Sequence, residues 1–144
     1  MRTHSRLLAV ATAAVVVTAC GGSDSNAPDN SHVGTYELAL IDGAPLPASI
    51  LSVPGYRLDV TDGELTLLAN NTFVESITIV EYTDDVQGPI EATSCVGSYR
   101  RTGSTITFTL PAGPICDAGT VTGRIEGRNT LVVDFDGLEA VYRR

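Results

Sequence analysis

Residues 33–144 consist of short runs in which apolar and polar side chains alternate, separated by turn residues. In residues 104–110, for example, Ile106, Phe108 and Leu110 alternate with threonines. Successive side chains of a β-strand point to opposite faces, so this period of two predicts strands with one buried face. We count eight or nine such runs and no run with a helical period. The pattern therefore predicts an all-β domain of antiparallel strands, built as a β-sandwich or a β-barrel.

Three segments interrupt the alternation: residues 42–54, 83–91 and 111–119, which are polar or rich in glycine and proline. Such composition is typical of loops. The first segment contains three prolines together with the adjacent apolar residues Ile50 and Leu51. We expect this segment to be a long loop at one end of the domain. Its two aliphatic side chains either cover an opening there or tuck against the edge of the core.

Two shorter features predict turns and irregularities. Asp62-Gly63 predicts a tight hairpin turn, because Asp followed by Gly readily adopts the positive φ angles that such turns need. The alternation slips between Phe73 and Ile77, which predicts a β-bulge. Carboxylates clustered around Gly63 and Gly137 are interpreted as solvated hairpin tips, in preference to a calcium site or a catalytic carboxylate pair.

The first 19 residues differ in character from the rest of the chain. Arg2 and Arg6 precede residues 7–17, which are apolar apart from Thr12, and small residues follow. A basic segment, an apolar segment and small residues in this order are typical of a secretory signal peptide. A membrane-spanning helix needs about 20 apolar residues, and the stretch ends before that length.

Val17-Thr18-Ala19-Cys20 resembles the lipobox of bacterial lipoproteins, although that family more often has Leu at the first position and Ala or Ser at the second. The resemblance implies cleavage after Ala19 and lipidation of Cys20, which would make the membrane the partner of the mature protein. Gly21 stands where an inner-membrane retention Asp would stand. The family pattern then implies the cell envelope, on the periplasmic side of the outer membrane in a diderm. The alternative is an ordinary signal peptide with cleavage elsewhere.

The chain is long enough for one domain and too short for two. We divide it into a signal peptide at residues 1–19, a lipidated Cys with a disordered tether at residues 20–32, and a β-domain at residues 33–144. The tether is rich in Gly, Ser, Asn and Asp, which cannot bury enough apolar surface to fold. His32, the one histidine after the signal peptide, falls within this tether.

Three cysteines in an exported chain leave one without a partner. If Cys20 carries lipid, Cys95 and Cys116 remain as an even pair in an oxidising compartment, where disulfides form. A bridge between them would close a loop of about 20 residues and stabilise the domain by about 3 kcal/mol. The alternative is a pair of buried free thiols.

Charge and residue content exclude several functions. Without the two arginines of the signal peptide, seven basic residues stand against 17 acidic ones, a net charge of −10, and Lys is absent. Such a chain repels phosphate backbones, which argues against nucleic acid as a partner. With one histidine in the tether, a Ser-His-Asp triad and a His-ligated metal lack their imidazole. We therefore expect no enzymatic activity, no catalytic residues, no metal and no cofactor.

Gly34-Thr35-Tyr36 on the first predicted strand, followed by a long loop and a series of antiparallel strands, resembles the lipocalin-like lipoproteins of bacterial envelopes. Lipocalins have Gly-x-Trp at this point, so Tyr36 takes the place of the Trp. The resemblance implies a small up-and-down β-barrel of about eight strands. It also implies that an arginine near the end of the barrel, Arg143 or Arg144, packs over the Tyr36 ring. A β-sandwich of the immunoglobulin type remains the alternative.

The resemblance also implies what such a barrel does. We expect an envelope-anchored lipoprotein that binds a small apolar ligand or lipid, and the alternative is a non-catalytic structural or protein-interaction module. An eight-stranded barrel either fills its interior with side chains or holds one small ligand. The residues expected to line the ligand site are Tyr36, Leu38, Ile50, Leu51, Leu58, Phe108 and Phe135.

Overall fold

The computed structural model describes residues 30–113, 116 and 118–144. The signal peptide, Cys20 and the tether up to residue 29 lie outside the described residues. No helix in the described part is long and apolar enough to cross a membrane. Its strands are β1 (Gly34–Ile41), β2 (Ala44–Pro45), β3 (Ala48–Val53), β4 (Tyr56–Leu67), β5 (Thr72–Thr83), β6 (Val86–Thr102), β7 (Thr105–Leu110), β8 (Gly119–Glu126), β9 (Thr130–Phe135) and β10 (Leu138–Arg143).

Eight of these strands form a closed barrel. The hydrogen-bonded order is β1-β10-β9-β8-β7-β6-β5-β4, and β4 pairs again with β1 to close the ring. Every pairing is antiparallel. Strand β1 makes the closure, since Gly34 to Glu37 pair with β4 and Glu37 to Ile41 pair with β10. The predicted small antiparallel barrel is confirmed, and the sandwich alternative is wrong because one continuous ring leaves no second sheet.

Strands β4, β5 and β6 are longer than the others and continue beyond the ring. They have 12, 12 and 17 residues, whereas β7 pairs with β6 only from Ser98 to Thr102. Their outer portions pair with one another and with β3. We call this part the sheet extension; it comprises β3 and residues 56–60, 77–83 and 86–93. It stands at the end of the barrel where β7 and β9 end.

The predicted hairpin turn at Asp62-Gly63 is wrong, because β4 runs through both residues. Gly63 faces the interior, where an added Cβ would lie 2.8 Å from Leu38 Cδ2. The glycine is therefore needed because the Leu38 side chain of the neighbouring strand β1 packs directly over it. The turn before β4 is Pro54-Gly55, where Gly55 has φ +79°, as expected when Pro occupies the first and Gly the second central position.

The expected loops at residues 42–54 and 83–91 are shorter than predicted. Residues 42–54 contain β2 and β3, so Ile50 and Leu51 lie on a strand of the sheet extension, not on a loop across the opening. The second loop is a two-residue turn, Asp84-Asp85, with φ angles of 49° and 64°. Aspartate tolerates this left-handed conformation, which matches the twist of the flanking strands.

The predicted bulge between Phe73 and Ile77 is also wrong. Strand β5 pairs without a register shift through this stretch, and the shift with β6 lies between Val80 and Tyr82. Phe73, Glu75 and Ile77 therefore all face the interior. The residue that broke the apolar alternation is a glutamate inside the barrel.

The deep interior of the barrel is filled by its own side chains. Phe73 and Phe108 meet edge to face with centroids 5.1 Å apart, a geometry that aromatic quadrupoles favour. Gly97 makes room for them, since an added Cβ would lie 2.5 Å from Phe73 Cε1. The space beside these rings is only about 10 Å³, about the size of one water molecule.

The end of the barrel opposite the sheet extension is sealed by residues that precede β1. His32, which we assigned to the tether, is buried. Its carbonyl accepts a hydrogen bond from the Tyr36 hydroxyl at 2.8 Å, and its Nε2 lies 3.2 Å from the Tyr99 hydroxyl. The boundary predicted at residue 33 is therefore corrected: the segment from Asn30 onward belongs to the domain.

Hydrogen bonding fixes the tautomer of His32. Arg101 Nη1 lies 3.0 Å from His32 Nδ1, and a guanidinium only donates, so Nδ1 accepts. Nε2 then carries the proton and donates to the Tyr99 hydroxyl, which itself donates to the Leu68 carbonyl at 2.7 Å. The imidazole is thus held in a chain of hydrogen bonds at the sealed end.

Arg144 completes this end. Its guanidinium carbon lies 4.2 Å from the centroid of the Tyr36 ring, within the range of a cation–π contact. It also donates to the Ser31 carbonyl at 3.0 Å and to the Tyr36 hydroxyl. The predicted arginine over the ring is confirmed, and it is Arg144 and not Arg143.

Arg144→Ala is expected to lower the free energy of unfolding by about 1 kcal/mol, because it removes the cation–π contact and two hydrogen bonds. Arg143→Ala is the matched control: Arg143 is the exposed neighbouring residue, and its loss should change stability by less than about 0.5 kcal/mol. Urea unfolding followed by circular dichroism measures both. Equal effects of the two substitutions would contradict the assignment.

Candidate functional site

An open pocket of about 310 Å³ lies at the mouth of the barrel, next to the sheet extension. It is bounded by the inner faces of β5 and β6 on one side and by the ends of β7, β8 and β9 on the other. This volume is at the lower end of the range for small-molecule sites, about 300–1,000 Å³. The lining residues are Glu75, Ile77, Thr93, Cys95, Leu110, Cys116, Ala118, Gly119, Thr120, Val121, Phe135 and Asp136.

Glu75 forms the floor of this pocket. It is 6% exposed and lines both the pocket and the small space beside Phe73 and Phe108. Its Oε1 accepts a hydrogen bond from the Tyr142 hydroxyl at 2.6 Å. Strand β5 positions the carboxyl by simple alternation, since Glu75 shares a face with Phe73 and Ile77. The pocket is therefore a cleft with both polar and aliphatic walls and one buried acid at its floor.

Burial controls the protonation of this acid. Removal from water raises the pKa of Glu75 above its ordinary value, and the hydrogen bond from Tyr142 lowers it in part. The pKa of Tyr142 is in turn raised well above its ordinary value by burial and by the neighbouring carboxyl. Tyr142 accordingly stays a hydrogen-bond donor at neutral pH, and the carboxyl is the group of this pair that can change its charge.

A cysteine pair braces the rim of the pocket. Cys95 Sγ and Cys116 Sγ lie 2.15 Å apart, a disulfide distance, with their Cα atoms 5.7 Å apart. Cys95 is on β6, and Cys116 is in the connection between β7 and β8. The predicted pair thus attaches that connection to the opposite wall. Among the residues given above, no three His, Cys, Asp or Glu side chains are grouped so as to hold a metal ion.

Most of the residues expected to line the ligand site lie elsewhere. Phe135 lines the pocket. Tyr36 is at the sealed end under Arg144, whereas Leu38 and Phe108 are buried in the filled interior. Their side chains face inward as predicted, but the barrel is too narrow to leave space beside them.

The two aliphatic residues of β3 and their neighbour on β4 belong to the sheet extension. Leu51 pairs with Leu58, so both face the side of the sheet that continues the interior of the barrel. Leu51 is 46% exposed and Leu58 half-buried. Ile50, at the register shift in β3, is 37% exposed. On this face of the sheet extension Leu51 and Leu58 are accompanied by the exposed Glu81, the register partner of Leu58.

Glu75 was missed as a site residue although the sequence carries a signal for it. A glutamate in phase with Phe73 and Ile77 on a strand predicts either a slip in the alternation or a buried carboxyl. The pairing of β5 with β4 and β6 runs through Glu75 without a shift, so Glu75 is a buried carboxyl and not a slip in the alternation. The other pocket walls come from strand ends and connecting loops, whose meeting depends on barrel closure and is invisible in local patterns.

No protein-family model matches the chain, and no curated protein matches it. Among solved structures, a crystal structure of a lipocalin-like protein from Bacteroides uniformis is similar, with a TM-score of 0.48 and 16% sequence identity. The similarity covers 79% of this chain and 98% of that chain. The architecture rests on the strand pairing of this chain itself, which makes the domain a small, closed, antiparallel β-barrel.

The raised pKa of Glu75 predicts a specific pH dependence of stability. Between the ordinary value of 4.5 and the raised value, the folded state binds more protons than the unfolded state. The stabilising contribution is therefore present below about pH 4.5 and is lost as the pH rises through the folded pKa. Glu75→Gln has no proton to lose and should be more stable than the wild type at about pH 7.

Urea unfolding from about pH 4.5 to about pH 7.5 measures this difference. Glu64→Gln, which removes an exposed carboxyl from β4, is the control and should keep the wild-type slope. A Glu75→Gln variant whose stability falls with pH as steeply as that of the wild type would show that Glu75 is not the titrating group.

Proposed function

We propose that this protein binds a small apolar ligand at the mouth of its barrel. The observation that carries the proposal is the open pocket of about 310 Å³ with walls formed by Ile77, Leu110, Val121 and Phe135. Burial of ligand surface against such walls contributes about 25 cal/mol per Å².

The ligand lies near the opening and not deep in the barrel, because the interior below Glu75 is filled. The two ends of the molecule thus have separate roles in this proposal. The sealed end, with His32, Tyr36 and Arg144, stabilises the closed ring. The mouth of the barrel binds the ligand.

The proposed role is non-catalytic. Within the described residues, the imidazole of His32 is at the sealed end and is hydrogen bonded there to Tyr99 and Arg101. The pocket itself offers carboxyl, hydroxyl and aliphatic groups. This composition supports recognition of a ligand through one polar group and an apolar surface.

We further propose that the mature protein is anchored to the envelope membrane through lipid on Cys20. The lipobox-like residues carry this part of the proposal, and they lie outside the described residues. The described chain enters the domain at the sealed end, at Asn30. The mouth of the pocket is at the opposite end, so an anchored barrel would leave its pocket accessible.

A non-catalytic interaction module is the second candidate. It is favoured by the exposed apolar residues of the sheet extension, among them Leu51, Val53 and Val86. Exposed apolar patches are a mark of protein contact surfaces. The two candidates differ in what must occupy the pocket, and the following experiment separates them.

Native mass spectrometry of the full chain carrying Cys20→Ala, exported by its host, should show a bound small molecule. Val121→Trp should remove that added mass, because the larger side chain fills the pocket. Val96→Trp is the control: Val96 is 57% exposed on the outer face of β6, so its substitution should leave the added mass unchanged. A clean unliganded mass in the parent protein, together with no uptake of added octanol, would reject ligand binding and favour the interaction module.

Labelled palmitate should be incorporated into the wild-type chain and not into Cys20→Ala, because the thioether-linked lipid needs the Cys20 sulfur. In a diderm host the labelled protein should fractionate with the outer membrane. Gly21→Asp is the companion variant and should shift the protein to the inner membrane while leaving the label intact. Equal labelling of the wild type and Cys20→Ala would refute lipidation at this residue.

A further inference from the structure

The charged residues that line the pocket are of one sign. They are Glu75 at the floor and Asp136 in the turn between β9 and β10, and no described residue of the lining is basic. The mature chain around them has a net charge of −10. Clefts lined by one sign of charge concentrate ligands of the opposite sign. The pocket therefore has the electrostatics of a site for cations and disfavours anions.

The carboxyl of Glu75 is incompletely satisfied by the protein. One oxygen accepts the hydrogen bond from Tyr142; the other has no donor among the described residues and is not one of their fully buried atoms, so it faces the open pocket. A buried carboxylate without a positive partner is unfavourable, since desolvation is not offset. Because Glu75 lines the pocket, a ligand is placed to supply the missing donor and the missing charge.

The neighbours of Glu75 supply neither a second hydrogen-bond donor nor a positive charge. Its register partners on β4 and β6 are Leu65 and Cys95, and Cys95 lies at disulfide distance from Cys116. The group that faces it from β10 is the Tyr142 hydroxyl, which already donates. Asp136 adds a second negative charge at the rim. A cation at the floor would thus meet acidic groups only.

We propose that the ligand is a small amphiphilic amine, with its ammonium group on the Glu75 carboxyl and its apolar tail along Ile77, Leu110 and Val121. This inference rests on the proposed function and names the ligand class for the same pocket. The ammonium enters first, because Glu75 is the deepest polar group of the pocket. The tail is then directed toward the opening of the pocket.

Three probes of equal length and different charge test the inference: octylamine, 1-octanol and octanoate. Titration calorimetry with the full chain carrying Cys20→Ala, at about pH 7, should give octylamine the highest affinity, at least about tenfold above octanol. Octanoate should bind most weakly, because it brings a negative charge to an acidic floor. Equal affinities for octylamine and octanol would overturn the inference.

Glu75→Gln keeps the shape of the floor and the acceptor for Tyr142 but removes the charge. In this variant octylamine should lose its tenfold advantage and bind within about twofold of octanol. The control Glu64→Gln, with the same change of charge on the outer surface, should retain the tenfold preference. A preference for octylamine that survives Glu75→Gln would overturn the role of this carboxyl.

A measurement on the unsubstituted carboxyl protects the test against misfolding of the variant. Carbon-13 NMR of the Glu75 side-chain carboxyl should show that octylamine lowers its pKa and that octanol does not. The failures are distinguishable. Binding of octanol without preference for octylamine would leave the proposed function standing and reject the amine, whereas no binding of any of the three probes would reject both.

Discussion

The structure depends on one strand that is hydrogen bonded along both edges. Strand β1 pairs with β4 through its first half and with β10 through its second half, and without it the other seven barrel strands would form an open sheet with two free edges. Free edges are prone to pair with other chains. The sealed end is built where this closure occurs: Tyr36 is on β1, Arg144 follows β10, and their cation–π contact joins the first strand to the last.

Closure also decides where a ligand can bind. Eight strands leave an interior just wide enough for side chains, and Phe73, Phe108 and Tyr142 fill it. Within the described residues, the ring interior opens into a pocket where the strands stop being equal in length. Strands β7 and β9 end early, whereas β5 and β6 continue, so one wall of the mouth rises above the other. The pocket and the sheet extension are both consequences of this difference in strand length.

Much of the fold was predictable from period-two alternation, and the errors have identifiable physical causes. Strand β3 was missed because prolines flank it, although Pro54-Gly55 is itself a turn signal. The false turn at Asp62-Gly63 arose because glycine there serves the packing of Leu38, a contact between distant parts of the chain. His32 was assigned to the tether because its burial depends on partners near residues 99 and 101, which local sequence does not show. The contact between an arginine at the end of the chain and the Tyr36 ring was predicted from the family resemblance and not from the alternation.

Glu75 is the position that departs most from the apolar alternation of the strands, because it places a carboxyl among side chains that face the interior. Tyr142 needs a buried acceptor, and a glutamine or a backbone carbonyl would provide one without bringing an ionisable group into an apolar barrel. A carboxyl placed there is stabilised in its neutral form and is strained electrostatically when charged. Ionisable groups buried in an apolar interior are concentrated at functional sites, where a ligand supplies the partner that the protein does not. The same carboxyl that weakens the empty barrel at neutral pH is therefore the group best placed to hold a cationic ligand, and the stability it removes from the empty state is recovered when an ammonium group binds.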